Sequence, residues 1–394
     1  MIDIQKNALC NIETAIKSIY IKKTIYQIKN MEINKKIAAI VFLFLCPYLA
    51  VAQILTGVVS DKTTKQPISE VNVYLDGTSF KTTTDASGRF ELITNSVINT
   101  KLVLNHLSYE SAIINFPFDG LPDTLYVQER TFGLEEVVVT FELYTRKQKL
   151  KAFREQFLGL TRAGKSCTIE NEDDIQLFYN AKTRTLTAVS DNPIVVVNNY
   201  LGYKISFILV DFWVQYYSYS SSGSNKISSG LDNRFVQVAF FSFVSSFTDQ
   251  TPDSRRIKQR RDNIYKMSSR HFFKCLADDA LIENGFTIFN KGIPVDHHKY
   301  FTTKDSLSQK MISIIPNTDI EKQKSTFTSI PDPSSVITVL YRKTTQSKIH
   351  FATDFLFVDQ YGNFAEFDKI IFGGHMGESR VGDMLPIEYE IIPK

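Results

Sequence analysis

Cysteine is scarce in this chain: four occur in 394 residues, and two of them, Cys10 and Cys46, lie ahead of the first globular pattern. A framework of several disulfides is excluded. Cys167 and Cys275 can close one bridge in an oxidising compartment or remain two buried thiols. Charge of one sign is lacking as well. The formal net charge is +3, and the first 52 residues hold seven Lys/Arg against three Asp/Glu, so the remainder carries 38 basic and 39 acidic residues, a net of −1. No bulk field favours nucleic acid, and no such partner is expected. The apolar run Ile37–Leu45 falls well short of the roughly 20 residues that span a bilayer. Neither a Gly-x-Ser-x-Gly elbow nor a P-loop occurs, and no cofactor is expected.

What is present begins with an address. Lys35-Lys36 precede Ile37–Leu45, and Leu49-Ala50-Val51-Ala52 ends in an A-x-A site, the three parts of a secretory signal. Residues 31–52 read as that signal, cleaved between Ala52 and Gln53. Because a basic start falls naturally at Met31, residues 1–30 read as a mis-chosen upstream start. A lipoprotein reading of Cys46 is disfavoured by bulky Leu45 before it. The protein is therefore expected to be exported, to the periplasm, the outer membrane or the medium.

Past the leader, Val71, Val73 and Leu75 alternate with Asn72 and Tyr74, the period of a strand with one face on a core. Asp85-Ala86-Ser87-Gly88 supplies turn chemistry and is read as a hairpin between Lys81–Thr84 and Phe90–Leu92. Further short β runs at Lys101–Asn105, Ala112–Phe116 and Thr124–Val127 fit a small sandwich. Gly57-Val58-Val59, Pro67-Ile68, Val71-Asn72-Val73, Gly77-Thr78 and Thr84-Asp85-Ala86-Ser87-Gly88-Arg89-Phe90 resemble the carboxypeptidase-regulatory-like domain, a transthyretin-like β-sandwich common in Gram-negative envelope proteins. The resemblance implies a sandwich over residues 53–140 and no reaction, because the module is usually non-catalytic. Leu134–Thr140 resembles the segment that follows this module in TonB-dependent receptors. About 250 residues remain, too few for that plug and barrel, and the Glu388–Lys394 end lacks their terminal aromatic.

Leu143–Leu158 reads as an amphipathic linker helix within residues 141–160. Residues 161–394 read as an α+β companion domain, so the whole is mainly β with a helical insert. Strands are expected at Asp174–Tyr179, Thr185–Val189, Ile194–Val197, Lys204–Tyr217, Arg234–Phe247, Phe286–Phe289, Met311–Ile315, Ile337–Tyr341, Phe351–Val358 and Ala365–Phe372, with a loop tip at Ser218–Ser229. Thr251-Pro252-Asp253 predicts a helix start running toward Asn284-Gly285, with Ser268-Ser269 capping a second helix. Asn199–Lys204, Ser269–Phe272 and Met384–Tyr389 resemble a region that follows the regulatory-like module in envelope proteins. That likeness implies architecture only.

Three constellations carry potential chemistry. His375-Met376-Gly377-Glu378 has the His-x-x-Glu spacing of metallocarboxypeptidases, but no second His follows it, and His271, His297, His298 or His350 could complete a zinc site only in an unrelated fold. His297-His298, beside Asp296, are adjacent, and on a strand they would point apart, so no metal site is expected there. His271 lies four residues before Cys275, a spacing that core packing accounts for. Arg255, Arg256, Lys258, Arg260 and Arg261 form the one dense cationic run. It reads as a solvated helix face or an anion patch for lipid head groups, lipopolysaccharide or an acidic glycan. No catalytic motif is complete. The expected function is an exported, non-enzymatic binding or scaffolding component of the cell envelope, in contact with an envelope protein, glycan or lipid and peripheral to a membrane. The alternatives are a metallocarboxypeptidase-related hydrolase or accessory subunit, and a component of an outer-membrane uptake system. Intact-mass measurement of the processed protein is expected to place Gln53 at the amino terminus; full-length retention or another start would refute the leader reading.

Overall fold

The computed structural model describes residues 53–94, 100–115, 121–130, 143–220, 227–229, 231, 235–290, 292–307, 309–315, 336–364 and 369–391. The leader with Ala52, the Leu134–Thr140 segment, Phe116, Arg234, residues 365–368 and the last three residues lie outside them, as does half of the Ser218–Ser229 tip.

Among the described residues, seven strands build the sandwich: β1 (Gln53–Asp61), β2 (Asn72–Leu75), β3 (Lys81–Thr83), β4 (Arg89–Thr94), β5 (Leu102–His106), β6 (Tyr109–Ile114) and β7 (Thr124–Val127). One sheet has the order β4-β1-β7, with β1 and β7 parallel, and the other β3-β2-β5-β6. Alternation places Phe90 and Leu92 inside with Val59, Val71, Val73, Leu75, Leu102 and Leu104. The Asp85–Gly88 turn is not a hairpin. β3 pairs with β2 and β4 lies in the other sheet, so the turn carries the chain across the sandwich. Its chemistry is as read: Asp85 Oδ1 accepts from the Ser87 and Arg89 amides at 2.8 and 2.9 Å, and Gly88 takes φ +72° where a Cβ would meet Val59 O at 2.6 Å.

The chain then enters a second core. Helix α1 (Arg146–Phe157) starts at Thr145, whose hydroxyl accepts from the Gln148 amide while Gln148 Oε1 accepts from the Thr145 amide, a capping box. It is followed by the short α2 (Arg162–Lys165), then β8 (Cys167–Ile169), β9 (Ile175–Asn180), β10 (Thr185–Ser190), β11 (Ile194–Asn198), β12 (Tyr203–Tyr216), the small ribbon β13 (Ser218–Ser220) and β14 (Ile227–Ser229), and β15 (Val236–Asp249). β12 is long enough to pair with β11 along its first half and β10 along its second, and β15 runs beside it on the other edge. α1 is a wall of this core and not a spacer. Phe153 and Phe157 are fully buried, with ring centroids 4.8 Å from Phe212 and 5.4 Å from Phe207 respectively.

A helix pair leads into the third core. α3 spans Arg255–Lys266 and α4 spans Ser269–Ala277. Ser254, not Thr251, caps α3 through a bond from the Ile257 amide, because residues 251–253 form the approach turn. Ser268 caps α4 as read, but α4 ends at Ala277 and does not reach Asn284. Beyond it, β16 (Phe286–Asn290), β17 (Ile293–Val295), β18 (Phe301–Ser306), β19 (Gln309–Ile314), β20 (Val336–Tyr341), β21 (Thr345–Phe351), β22 (Phe355–Val358) and β23 (Ile370–Gly374) form sheets ordered β17-β16-β20-β21-β23 and β18-β19-β22, followed by the one-turn α5 (His375–Glu378). The expected single strand Phe351–Val358 is thus two, in different sheets, broken at Ala352–Asp354. Phe272 and Phe273 of α4 pack with Phe286, Phe351 and Leu356.

The sandwich is bound tightly to this body. Gly77 N donates to Ser245 O at 2.7 Å, Phe247 N to Thr78 O at 2.8 Å, and Ile387 N to Gly77 O at 2.8 Å. Gly77 takes φ +74°, a conformation L side chains rarely adopt, and a Cβ there would stand 2.6 Å from Ile387 Cδ1, so that side chain would have to shift. Tyr361, far along the chain, is buried within the sandwich core. Asp76, beside Gly77, accepts from Ser245 N at 2.8 Å, and burial pushes its carboxyl up to about 6. A raised folded-state value means that protonated Asp76 is favoured by folding, so its contribution is complete below the unfolded value near 4 and is lost as pH rises through about 6. Asp76→Asn, which keeps an acceptor without the charge, is expected to stabilise the protein by on the order of 2 kcal/mol at pH 7.5 and by little at pH 4. Chemical denaturation of both forms across that range checks it.

Candidate functional site

The three segments Asn199–Lys204, Ser269–Phe272 and Met384–Tyr389 converge on one cleft. The first is the turn between β11 and β12. Asn198, fully buried, holds it by accepting from the Tyr200 and Leu201 amides at 3.1 and 2.9 Å while donating to Gly382 O at 2.8 Å. The second opens α4 and supplies Arg270, whose guanidinium donates to the carbonyls of Leu385, Pro386, Ile387 and Tyr389 at 2.6 to 3.3 Å. The third is the segment so bound. Burial draws Arg270 below the ordinary guanidinium value, opposed by Tyr265 and nearby carboxylates. Tyr389 adds a 2.6 Å bond from its hydroxyl to Asp262 of α3.

Between these segments lies a cavity of about 570 Å³. Phe241, Ile264, Tyr265, Met267 and Leu385 give it an apolar lining, and Arg162, His375, Arg380 and Asp383 also line it. Arg380 donates to the carbonyls of Gly377 and Ser379, both at 2.8 Å. Burial raises Asp383 above the ordinary carboxylate value even though Thr161 donates to it at 2.8 Å. At the rim stands Tyr200, with the guanidinium carbons of Arg260 and Arg162 4.5 and 5.3 Å from its ring centroid, both in cation–π range. An apolar interior under a cationic rim can take a molecule with an apolar body and an acidic head.

The cationic run of α3 is divided by the fold. Arg255, Arg256 and Lys258 are exposed, and Arg260 is half-buried on Tyr200 and donates to its carbonyl at 3.1 Å. Arg261 corrects the expectation of a uniformly solvated face. It is buried, grips Asp249 with two nitrogens at 2.7 and 2.8 Å, donates to Leu201 O at 2.7 Å and lies 3.8 Å from the Tyr203 ring centroid. Burial acts to raise Asp249, but the bonds from Arg261 and the Thr251 amide outweigh it and hold the carboxyl below its ordinary value.

The remaining sequence candidates separate cleanly. Cys167 and Cys275 are both free, and burial pushes each thiol up to about 12, far from a reactive thiolate. His271 is buried between Tyr265 and Phe286, its ring 5.2 and 5.1 Å from theirs, and burial lowers its affinity for a proton. His375 and Glu378 share α5, where Glu378 is exposed and Met376 is the buried residue. Among the described residues, one group of three metal-capable side chains brings its donor atoms within 4.8 Å of one another: Asp279, His297 and His298. Neither His375 nor His350 belongs to it. His297 and His298 do not point apart, because they sit in a 3-10 turn (His297–Lys299) and not on a strand.

Residues absent from the sequence candidates, notably Arg162, Tyr200, Arg270, Arg380 and Asp383, prove to line the cleft. The available signal was the three resembling segments themselves, which contain Tyr200, Arg270 and Leu385.

In comparison with known families, residues 55–139 match the model of the CarboxypepD_reg-like domain, and the described part of that stretch is the seven-stranded sandwich. No curated protein matches the chain.

The division of the cationic run has a measurable consequence. Arg261→Gln is expected to cost about 3 kcal/mol or more, because it leaves Asp249 without its bidentate partner, whereas Arg255→Gln and Arg256→Gln together change stability by less than about 0.5 kcal/mol. Urea denaturation of the two variants distinguishes them; equal losses would mean that the exposed arginines are structural too.

Proposed function

We propose, from the premise that residues 55–139 match a regulatory-like domain that is not catalytic by itself, that this is a non-enzymatic binding component of the cell envelope. The cleft between the three converging segments is its ligand site. The observation that carries the reading is the chemistry of that cleft: apolar walls enclosing about 570 Å³, with Arg162 and Arg260 stacked at the mouth on Tyr200. A cavity of that size suits a small amphiphile, and guanidinium groups suit a phosphate, sulfonate or carboxylate head. Exposed Arg255, Arg256 and Lys258 extend the cationic rim along α3 and favour approach to an anionic lipid surface, within the roughly 8 Å that charge reaches at physiological salt.

Export is part of the proposal and rests on the signal pattern of residues 31–52. Arg270, which lines the cleft, is committed to four backbone carbonyls, which suits a positioning role better than substrate chemistry. The sandwich would then serve as the docking module, with specificity in the body.

The test uses 8-anilinonaphthalene-1-sulfonate, an apolar sulfonate, as probe. Saturable binding is expected, weakened about fivefold by Arg162→Glu, equivalent to ~1 kcal/mol, and weakened by added salt. Binding indifferent to both would refute the cleft as an anion site. Chelator-sensitive cleavage of a peptide library by the purified protein would replace the binding reading with a hydrolytic one, and cytoplasmic recovery of the full-length chain on fractionation would remove it from the envelope.

A further inference from the structure

We propose that Asp279, His297 and His298 form a binding site for a single divalent transition-metal ion of the zinc class, with Asp296 orienting one of the imidazoles. The site lies on the surface beside the third core, and none of its residues lines the cleft. Asp279 follows α4 and takes a left-handed backbone conformation, φ +55°. The two histidines open the 3-10 turn between β17 and β18, where Asp296 is the N-cap and accepts from the His298 amide at 3.1 Å. Successive side chains on such a turn diverge by about 120° instead of the half-turn of a strand, which allows both rings onto one side. Their centroids are 4.0 Å apart.

The donor atoms already meet. His297 Nε2 is 2.7 Å from Asp279 Oδ1, and His298 Nε2 is 3.1 Å from the same oxygen. Ligands on a tetrahedral zinc, with bonds near 2.0 to 2.1 Å, stand about 3.3 Å apart, so the two Asp279–histidine separations need open by only a few tenths of an ångström, and all three donor atoms already lie within 4.8 Å of one another. Asp296 Oδ1 lies 2.8 Å from His298 Nδ1. A carboxylate there accepts a hydrogen bond from Nδ1–H and so directs Nε2 toward Asp279, where a divalent ion would take the place of the proton that otherwise bridges nitrogen and carboxylate. This is the carboxylate–histidine–metal relation by which proteins fix the ligating tautomer. The His297 side chain is 11% exposed and so pre-positioned, while those of His298 and Asp279 are 61% and 65% exposed, leaving an open side for entry and for water as a fourth ligand. Two imidazole nitrogens and one carboxylate select zinc, nickel, cobalt or copper over calcium or magnesium, which prefer oxygen. The ion would clip the turn after α4 to the β17–β18 connection.

The experiment is calorimetric titration of the purified protein, stripped with chelator and dialysed, with zinc chloride and separately with calcium chloride. Expected are one zinc per chain, no calcium binding, and a rise in melting temperature with zinc. His298→Ala and Asp279→Asn, both at exposed positions, should each weaken zinc at least roughly tenfold while circular dichroism stays unchanged, and Asp296→Asn should weaken it through loss of orientation. His375→Ala should leave the affinity unaltered. Failure to bind zinc, or binding undiminished in His298→Ala and Asp279→Asn, would overturn the assignment.

Discussion

The enclosed guanidinium of Arg270 is the constraint on which the assembled structure depends. A charge taken out of water costs several kcal/mol unless its donors are met, and here both terminal nitrogens are met by the carbonyls of a segment with no regular secondary structure of its own, while Nε has no partner among the described residues. That segment, Leu385–Tyr389, is thereby held against α4, from which it reaches α3 through Tyr389 and the sandwich through Ile387 and Glu388. Without the carbonyl cage, the floor of the cleft and one side of the sandwich contact would lose their common anchor.

Arg261 solves the same problem a helix earlier. Its fork spans Asp249 and reaches Leu201 O, which ties α3 to the end of β15 and to the turn between β11 and β12. Lysine could not replace either residue without loss, because a point charge on a flexible stem cannot address several acceptors in one plane. The two arginines fix the helix pair on either side of its junction, Arg261 from α3 and Arg270 from the start of α4, and Arg270 also lines the cleft.

Much of this was legible in the residues. Val71, Val73 and Leu75 alternate and are buried, and the strands expected at Asp174–Tyr179 and Thr185–Val189 are β9 and β10, paired antiparallel. Other features depend on partners that local patterns do not name. Asp85-Ala86-Ser87-Gly88 shows that the chain turns, but not which sheet receives it. The run Phe351–Val358 is apolar on both sides of Ala352–Asp354, so periodicity could not reveal the break. The cationic helix face gave no sign that Arg261 would meet Asp249, since an arginine facing solvent and one facing a carboxylate read alike. The three resembling segments were recognised as architecture, and their meeting at one cleft became visible only with the chain folded.

The contact of Ser79 with Glu388 joins residues 309 positions apart. A chain that emerges from the ribosome amino end first must therefore present a sandwich whose crowded Gly77 corner faces no Ile387, and whose core lacks Tyr361, until nearly all of the remaining sequence has been delivered. Such a long interval of unmatched surface is where a nascent chain most needs a holding partner, and it makes late truncation far more damaging to the first-made region than its distance along the chain would imply.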